Sequence, residues 1–412
     1  MNMEEYLSFV IVGHIDHGKS TLIGRLLYDT NSLPEEKIEE IKSTCTMLGK
    51  PFEFAYVMDH LDEEREKGIT IDTAQIFFKK GNRNYIIIDA PGHKEFIKNM
   101  LTGASQADAA VLIVDADEGV REQTRRHSYL LSMLGIEQVV VVFNKMDKIE
   151  YKKERFEEVK NELEKFLSNF SIKPSYMIPI SAMKGDNVVN KSTNMDWYEG
   201  TTVIDALNSF KNRVSLLERP LRFPVQDVYE MDGKKIYAGR IESGKLRKGD
   251  SVTILPSGEN TKVATIENFG LGLSEAEAGR STGITLDGET KAGRGSMICE
   301  SGSKPEPKTK LKANVFWMGN EPVKKDEKIS YKSTTQEVGC RIANIERKIN
   351  SSTLEILGTD SDELSGLEAG EVLLELDSPV VVDDFNNIPP TGRFVLIKNG
   401  LVQGGGIVTN LE

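Results

Sequence analysis

Gly13-His14-Ile15-Asp16-His17-Gly18-Lys19-Ser20 is the stretch whose reading decides the fold. It follows an apolar run at 7–12 and opens a helical pattern at 21–28. Strand, glycine loop and helix, in that order, give G-x-x-x-x-G-K-[ST] a physical meaning: a loop that wraps phosphate groups. Gly13 and Gly18 permit the tight backbone turn that aims N–H groups at phosphate oxygens. Lys19 reaches the β- and γ-phosphates, the Ser20 hydroxyl binds Mg²⁺, and the helix start adds its positive dipole end. The nucleotide-contacting residues of this loop are accordingly Gly13, His14, Asp16, His17, Gly18, Lys19, Ser20 and Thr21. A plain glycine turn between strand and helix is the competing reading, and the motifs downstream decide against it.

Outward from the loop, apolar runs alternate with helical stretches. The runs 84–89 (NYIIID), 109–115 (AAVLIVD), 138–144 (QVVVVFN) and 176–181 (YMIPIS) read as strands. The stretches 94–103, 123–134 and 152–168 read as the helices between them. Continuous β-branched runs separated by helices predict a parallel-type sheet with helices on both faces. Ligands of such sheets bind at the carboxyl ends of the strands, which is where the remaining motifs fall. Asp89-Ala-Pro-Gly92-His93 ends the first of these runs. There Asp89 would hold Mg²⁺ through water, the Gly92 N–H would meet the γ-phosphate, and His93 would orient an attacking water. Thr70, in Gly68-Ile-Thr-Ile-Asp72, sits after a charged stretch and would complete the Mg²⁺ shell while the γ-phosphate is present. Without a ligand, the same residues would be a turn and the start of an edge strand.

Asn144-Lys145-Met146-Asp147 ends the run at 138–144. The Asp147 carboxylate would accept from guanine N1–H and the 2-amine, a donor pair that adenine lacks. Asn144 would tie this loop to the phosphate loop, and the Lys145 stem would lie over the base. Backbone N–H groups of Ser181 and Ala182 would face guanine O6. A polar helix cap is the bland alternative. Together these pieces make GTP and GDP, with Mg²⁺, the expected ligands, and His93, Lys19 and Thr70 the expected catalytic residues.

Bulk properties bound the rest. A chain of 412 residues with 39% hydrophobic and 28% charged residues is expected to form two or three globular domains. Its net charge of −12 argues against a nucleic-acid binder with a broad basic surface. The start of the chain has no basic region followed by an apolar core, and no apolar run reaches the length of a membrane span, so a cytoplasmic location is expected. Cys45, Cys299 and Cys340 are far apart, which fits neither a disulfide framework nor a zinc site. His14 and His17 lack acidic or thiol partners at ligand spacing, so the histidines do not read as a metal site.

A helical pattern at 202–213 closes the first domain, and Arg219-Pro220-Leu221-Arg222-Phe223-Pro224 opens a different composition. Short alternating segments at 236–241, 244–249, 251–255 and 262–269 read as a barrel. After a linker at 301–307, segments at 311–318, 340–349, 371–376 and 392–397 form a second β set. Gly404-Gly405-Gly406 precedes a last strand at 407–409. The expected domains are 1–217 (nucleotide-binding), 218–303 (barrel) and 304–412 (barrel).

The four nucleotide motifs resemble those of a translation-factor-type GTPase, and the likeness extends over essentially the whole chain. Within that superfamily two groups share the layout. Gly-His-Ile-Asp-His-Gly at 13–18, 102–108 (TGASQAD) and 185–189 (GDNVV) are similar to elongation factor Tu and 1-alpha proteins. Gln123-Thr-Arg-Arg-His-Ser128, 222–228 (RFPVQDV), 255–258 (LPSG) and Val315-Phe-Trp-Met318 with Glu321-Pro322 resemble sulfate adenylyltransferase subunit 1, the GTPase subunit of bacterial ATP sulfurylase. Residues 306–412 carry 12 Lys/Arg against 17 Asp/Glu, which suits a barrel that does not grip tRNA. The resemblance thus implies a GTPase that couples GTP hydrolysis to formation of adenylyl sulfate beside a separate small catalytic adenylyltransferase subunit. The alternative it implies is a factor delivering aminoacyl-tRNA to the ribosome.

Overall fold

The computed structural model describes residues 6–47, 54, 75–89, 107–169, 172–211, 216–231, 233–268 and 271–410. The chain forms two compact units, Met1–Arg213 and Val214–Glu412. The first is built on strands β1 (Tyr6–Gly13), β2 (Gln75–Lys80), β3 (Arg83–Asp89), β4 (Ala109–Asp115), β5 (Val139–Asn144) and β6 (Tyr176–Pro179). Their order across the sheet is β2-β3-β1-β4-β5-β6. Neighbours from β3 through β6 run parallel, while β2 turns back antiparallel on β3, so the sheet is mixed rather than parallel throughout.

The described helices of this unit are α1 (Lys19–Asp29), α2 (Glu35–Met47), α3 (Glu122–Met133), α4 (Lys153–Leu167) and α5 (Val203–Ser209). The pleat sorts their contacts. Leu7, Phe9 and Ile11 of β1, with Val111 and Ile113 of β4, pack with Leu22, Ile23 and Leu26 of α1, Ile41 of α2 and Val203 and Leu207 of α5. On the opposite face Phe143 of β5 meets Phe156 of α4 edge-on at 5.1 Å. With both faces covered, β4 and β5 are buried at every position, which is why they read as unbroken apolar runs. The helix expected at 94–103 lies outside the described residues. The helix expected over 202–213 is shorter, with Phe210 already extended at its end.

The second unit is all but helix-free among its described residues. A seven-stranded sheet of 222–300 closes into a barrel because Ser251–Leu255 pairs with both Met297–Glu300 and Glu259–Asn268. A second sheet of 308–410 closes through Ile329–Ser333, which pairs with both Gln336–Asn350 and Arg393–Lys398. The two barrels meet at a buried ion pair. Arg222 donates to both carboxylate oxygens of Asp383, at 2.9 Å each, and the Thr391 hydroxyl donates to the same carboxylate at 2.7 Å. Leu255, Met297, Cys299 and Val381 form an apolar cluster shared by the two barrels.

Gly404–Gly406 corrects an expectation. Those glycines lie inside the last strand, Leu401–Asn410, and do not precede it. A Cβ on Gly404 would stand 2.7 Å from the Trp317 ring, and one on Gly406 would stand 2.5 Å from the Asn314 carbonyl. Here glycine makes room for an aromatic side chain and a neighbouring backbone; it does not mark a turn.

Candidate functional site

Parallel pairing brings the motifs to one edge of the sheet. Asp89 is opposite Ile11, Gly13 opposite Ile113, and Asp115 opposite Asn144. The glycine loop leaves the end of β1 and enters α1 with Gly18 left-handed at φ 95° as its N-cap. Both loop glycines are sterically required. A Cβ on Gly13 would lie 2.4 Å from Ile113 Cγ2, and one on Gly18 2.4 Å from Asn144 Nδ2. Asp16, exposed at the loop's tip, also has positive φ. Ser20 and Thr21 are half-buried in the first turn of α1. Lys19 Nζ lies 3.4 Å from the Gly13 carbonyl. Burial lowers the Lys19 pKa, and the neighbouring Asp89 and Asp16 carboxylates work against that shift.

His17 is fully buried behind the loop. The Asp115 N–H points at its Nδ1 from 3.2 Å, and the Ile113 carbonyl is 3.4 Å away. The Asp115 proton is fixed by the backbone, so Nδ1 accepts and Nε2 carries the ring proton, 3.8 Å from Glu118 Oε2. Burial pulls the His17 pKa down to about 4, which keeps the ring neutral for this role. The His14 ring stands 5.0 Å from that of His17, and its buried Nδ1 has no hydrogen-bond partner among the described residues.

Asn144 does what its position at the end of β5 implied. Its Nδ2 donates to the His17 carbonyl at 2.9 Å and its Oδ1 accepts from the Ala182 N–H at 2.9 Å. One side chain thus joins the phosphate loop to two later loops. The neighbouring Ser181 hydroxyl donates to Asp147 Oδ1 at 2.6 Å and orients that carboxylate. This revises the parts expected of Ser181 and Ala182. Their N–H groups are not turned outward toward a base: that of Ser181 donates to the Asp186 carbonyl and that of Ala182 to Asn144.

Lys145, at φ 63°, has its ammonium 2.6 Å from Asp115 Oδ2. Asp115 is almost fully buried and accepts from the N–H groups of Asp117 at 2.9 Å and Glu118 at 3.3 Å. Burial works against its charge, yet Lys145 and these N–H groups outweigh it and hold the carboxyl below its ordinary range. Asp115 is the site residue missed in the sequence. Its signal was a carboxylate closing an otherwise wholly apolar strand at the ligand-binding edge.

The residues brought together are therefore Gly13 to Thr21, Asp89, Asn144, Lys145, Asp147, Ser181 and Ala182. Thr70, Gly92 and His93 lie outside the described residues. Ser20 and Asp89 offer hard oxygen donors beside the loop, a set that suits Mg²⁺ completed by water and phosphate oxygens. Among the described residues no cluster of three His, Cys, Asp or Glu offers a metal site made of protein alone. Among them, too, no helix is long and apolar enough to cross a membrane.

Comparison with known proteins matches three stretches of the chain to family models. Residues 4–219 match the elongation factor Tu GTP binding domain, 235–299 match elongation factor Tu domain 2, and 310–409 match the GTP-eEF1A C-terminal domain-like family. Elongation factor 1-alpha of Archaeoglobus fulgidus is 39% identical over 425 residues, covering 99% of this chain and 98% of that protein. Elongation factor 1-alpha of Pyrococcus furiosus is 40% identical over 421 residues, again covering 99% and 98%. Sulfate adenylyltransferase subunit 1 of Aeromonas hydrophila is 38% identical over 412 residues, covering 98% of this chain and 86% of that protein.

Proposed function

The chain belongs to the elongation factor Tu family of GTP-binding proteins, and from that premise we propose that it is a GTPase of the elongation factor 1-alpha type, carrying aminoacyl-tRNA to the ribosome. The observation that carries this reading is the end-to-end likeness to elongation factor 1-alpha proteins, with a C-terminal barrel of the same family as theirs by description. In this reading Gly13 to Thr21 cradle the phosphates of GTP or GDP and Asp147, set by Ser181, selects guanine. Ser20, Asp89 and Thr70 hold Mg²⁺, which shields phosphate charge when bound. Gly92 meets the γ-phosphate, and His93 orients the attacking water. Catalysis by these residues is positioning and charge stabilisation.

A second reading, the GTPase subunit of sulfate adenylyltransferase beside a small catalytic subunit, has one observation in its favour: a relative of that name at 38% identity. The run at 125–128 that resembles that group is occupied in packing. Arg126, His127 and Ser128 are buried, and Arg125 pairs with Glu162 at 3.1 Å. Trp317 is likewise fully buried in its barrel, its Nε1–H on the Glu321 carbonyl at 2.8 Å. Neither feature offers a partner surface that would favour the sulfate reading.

The test is to load the protein with a non-hydrolysable GTP analogue and measure protection of aminoacyl-tRNA against ester hydrolysis. Protection that is lost with GDP is the expected result. GTP-dependent formation of adenylyl sulfate by a co-purifying subunit, without protection, would overturn it for the second reading.

A further inference from the structure

We propose that Asp115 is a positioning residue for nucleotide binding: by holding the Lys145 ammonium, it lays the Lys145 stem where the base will rest and ties that stem to the phosphate loop. This rests on the guanine-nucleotide reading of the site. A lysine side chain has four rotatable bonds, and ordering it costs rotamer entropy when it binds. Here the far end is already fixed, 2.6 Å from a carboxylate that is itself buried and held by two backbone N–H groups. A charge-assisted contact in a low-dielectric setting is among the stronger hydrogen bonds. The Lys145 backbone is fixed as well, because the preceding Asn144 is bound on both sides and the following Met146 N–H donates to the Ile180 carbonyl at 3.1 Å.

Asp115 also has a second connection. Its N–H donates to His17 Nδ1 inside the phosphate loop. One residue at the end of β4 therefore contacts the base-side lysine through its side chain and the phosphate-side histidine through its backbone. Replacing the side chain releases the first connection and leaves the second. This separates base positioning from phosphate binding in a single variant.

The test measures release of fluorescent GDP and competition by inorganic tripolyphosphate, which engages the phosphate loop alone. Asp115→Asn keeps the shape and removes the charge. It is expected to speed GDP release about tenfold, the weight of one charge-assisted hydrogen bond, while tripolyphosphate competes within about twofold of the parent. Lys145→Met keeps the apolar stem, and Asp115→Asn in that background is expected to add little further. GDP release at the parental rate from Asp115→Asn overturns the proposal, as does an undiminished effect in the Lys145→Met background. Parallel loss of tripolyphosphate binding overturns it too, because Asp115 would then be merely structural. A parent protein that does not hold GDP overturns the underlying guanine-nucleotide reading, an outcome distinct from all of these.

Discussion

The two units place their buried polar atoms differently. In the first, His14 Nδ1, His17 Nε2, Gln123 Oε1, Thr124 Oγ1 and His127 Nδ1 are buried with no hydrogen-bond partner among the described residues. In the second, the most buried charge, Arg222, is matched on both forks by Asp383, and Asp383 is matched again by Thr391. Among the described residues its own buried atoms without a hydrogen-bond partner are the hydroxyls of Tyr331, Thr334 and Thr335, which do not ionise in the neutral range. An unmatched buried polar atom costs stability, whereas a matched one is close to neutral. The first unit carries part of that cost at His14 and His17, in the loop that is to bind phosphate, while the second uses a matched pair to fix two barrels against each other. The difference teaches where each unit places its buried polar groups: imidazoles without a described partner gather at the phosphate loop, and a matched ion pair sits between the barrels.

The sharpest test of the first half of that contrast is Asp147→Asn. A site built to accept from two base donors rejects the wrong base by a factor on the order of 10⁴. The variant is expected to prefer xanthine over guanine nucleotides by competition binding; unchanged selectivity would mean that the Ser181–Asp147 pair is not aimed at a base. The second half is tested by Arg222→Met. Breaking a buried pair leaves Asp383 without its partner and should destabilise the barrel unit by about 3–5 kcal/mol. Arg222→Met with Asp383→Leu removes both charges and should recover most of that loss. Equal damage in the single and double variants would show that packing, not charge matching, joins the barrels.

Mild acid, above the range where carboxylates titrate, separates the units through their histidines. The folded pKa of His17, about 4, lies below the ordinary 6.5, so between those values the unfolded chain binds a proton that the folded chain refuses. Stability then falls as pH drops from about 6.5 to about 4 and levels off below, by about 3 kcal/mol for that one ring. Burial also pushes enclosed His127 down to about 3, which adds a second loss over the same window and carries it to lower pH. The barrel unit contains no histidine. Burial raises the Glu242 carboxyl above its ordinary 4.5, so protonation there adds to folded-state stability as pH falls. The chain has two tryptophans, Trp197 in the first unit and Trp317 in the second. Variants with one replaced by phenylalanine report each unit's unfolding separately. Between pH 6.5 and 4.5 the Trp197 transition should weaken while the Trp317 transition holds, and His17→Gln should roughly halve the slope of the first, His127 supplying the rest. Parallel curves would break the contrast.

Much of this architecture could be read in the residues because sheet physics writes itself plainly where both faces are covered. Wholly buried β4 and β5 were unmistakable, and Asn144 was placed correctly as a tie between loops because it ends such a strand. β2 was hidden: QIFFKK at an edge has only one face to bury, and only Phe78 is buried there. α2 was hidden for the same reason, since Ile41 and Cys45 are its only buried residues. The Asp115–Lys145 pair and the Ala182 N–H on Asn144 depend on partners far along the chain, and the Ser181 N–H on a local turn to Asp186, none of which motif spacing reveals. The run at 125–128 looked like a functional signature, yet Arg126, His127 and Ser128 are buried in packing and Arg125 pairs with Glu162.

Gly404 is the smallest lever on the comparison and the most local. Trp317 and Leu396 flank it in register on neighbouring strands. A methyl group there would stand 2.7 Å from Trp317 Cε3 and 3.3 Å from Leu396 Cβ. Overpacking of this kind costs about 1–3 kcal/mol, and the entropy removed from the unfolded chain by replacing glycine returns about 0.4–1 kcal/mol of that. Gly404→Ala should therefore lower the Trp317 transition modestly and leave the Trp197 transition and GDP binding unchanged. Pairing it with Trp317→Leu opens the space the methyl needs, so the double variant should lose less than the sum of the two single changes. A Gly404→Ala protein as stable as the parent would mean that the strand shifts to accept the methyl group, and that the glycines of this strand are not there to admit the tryptophan.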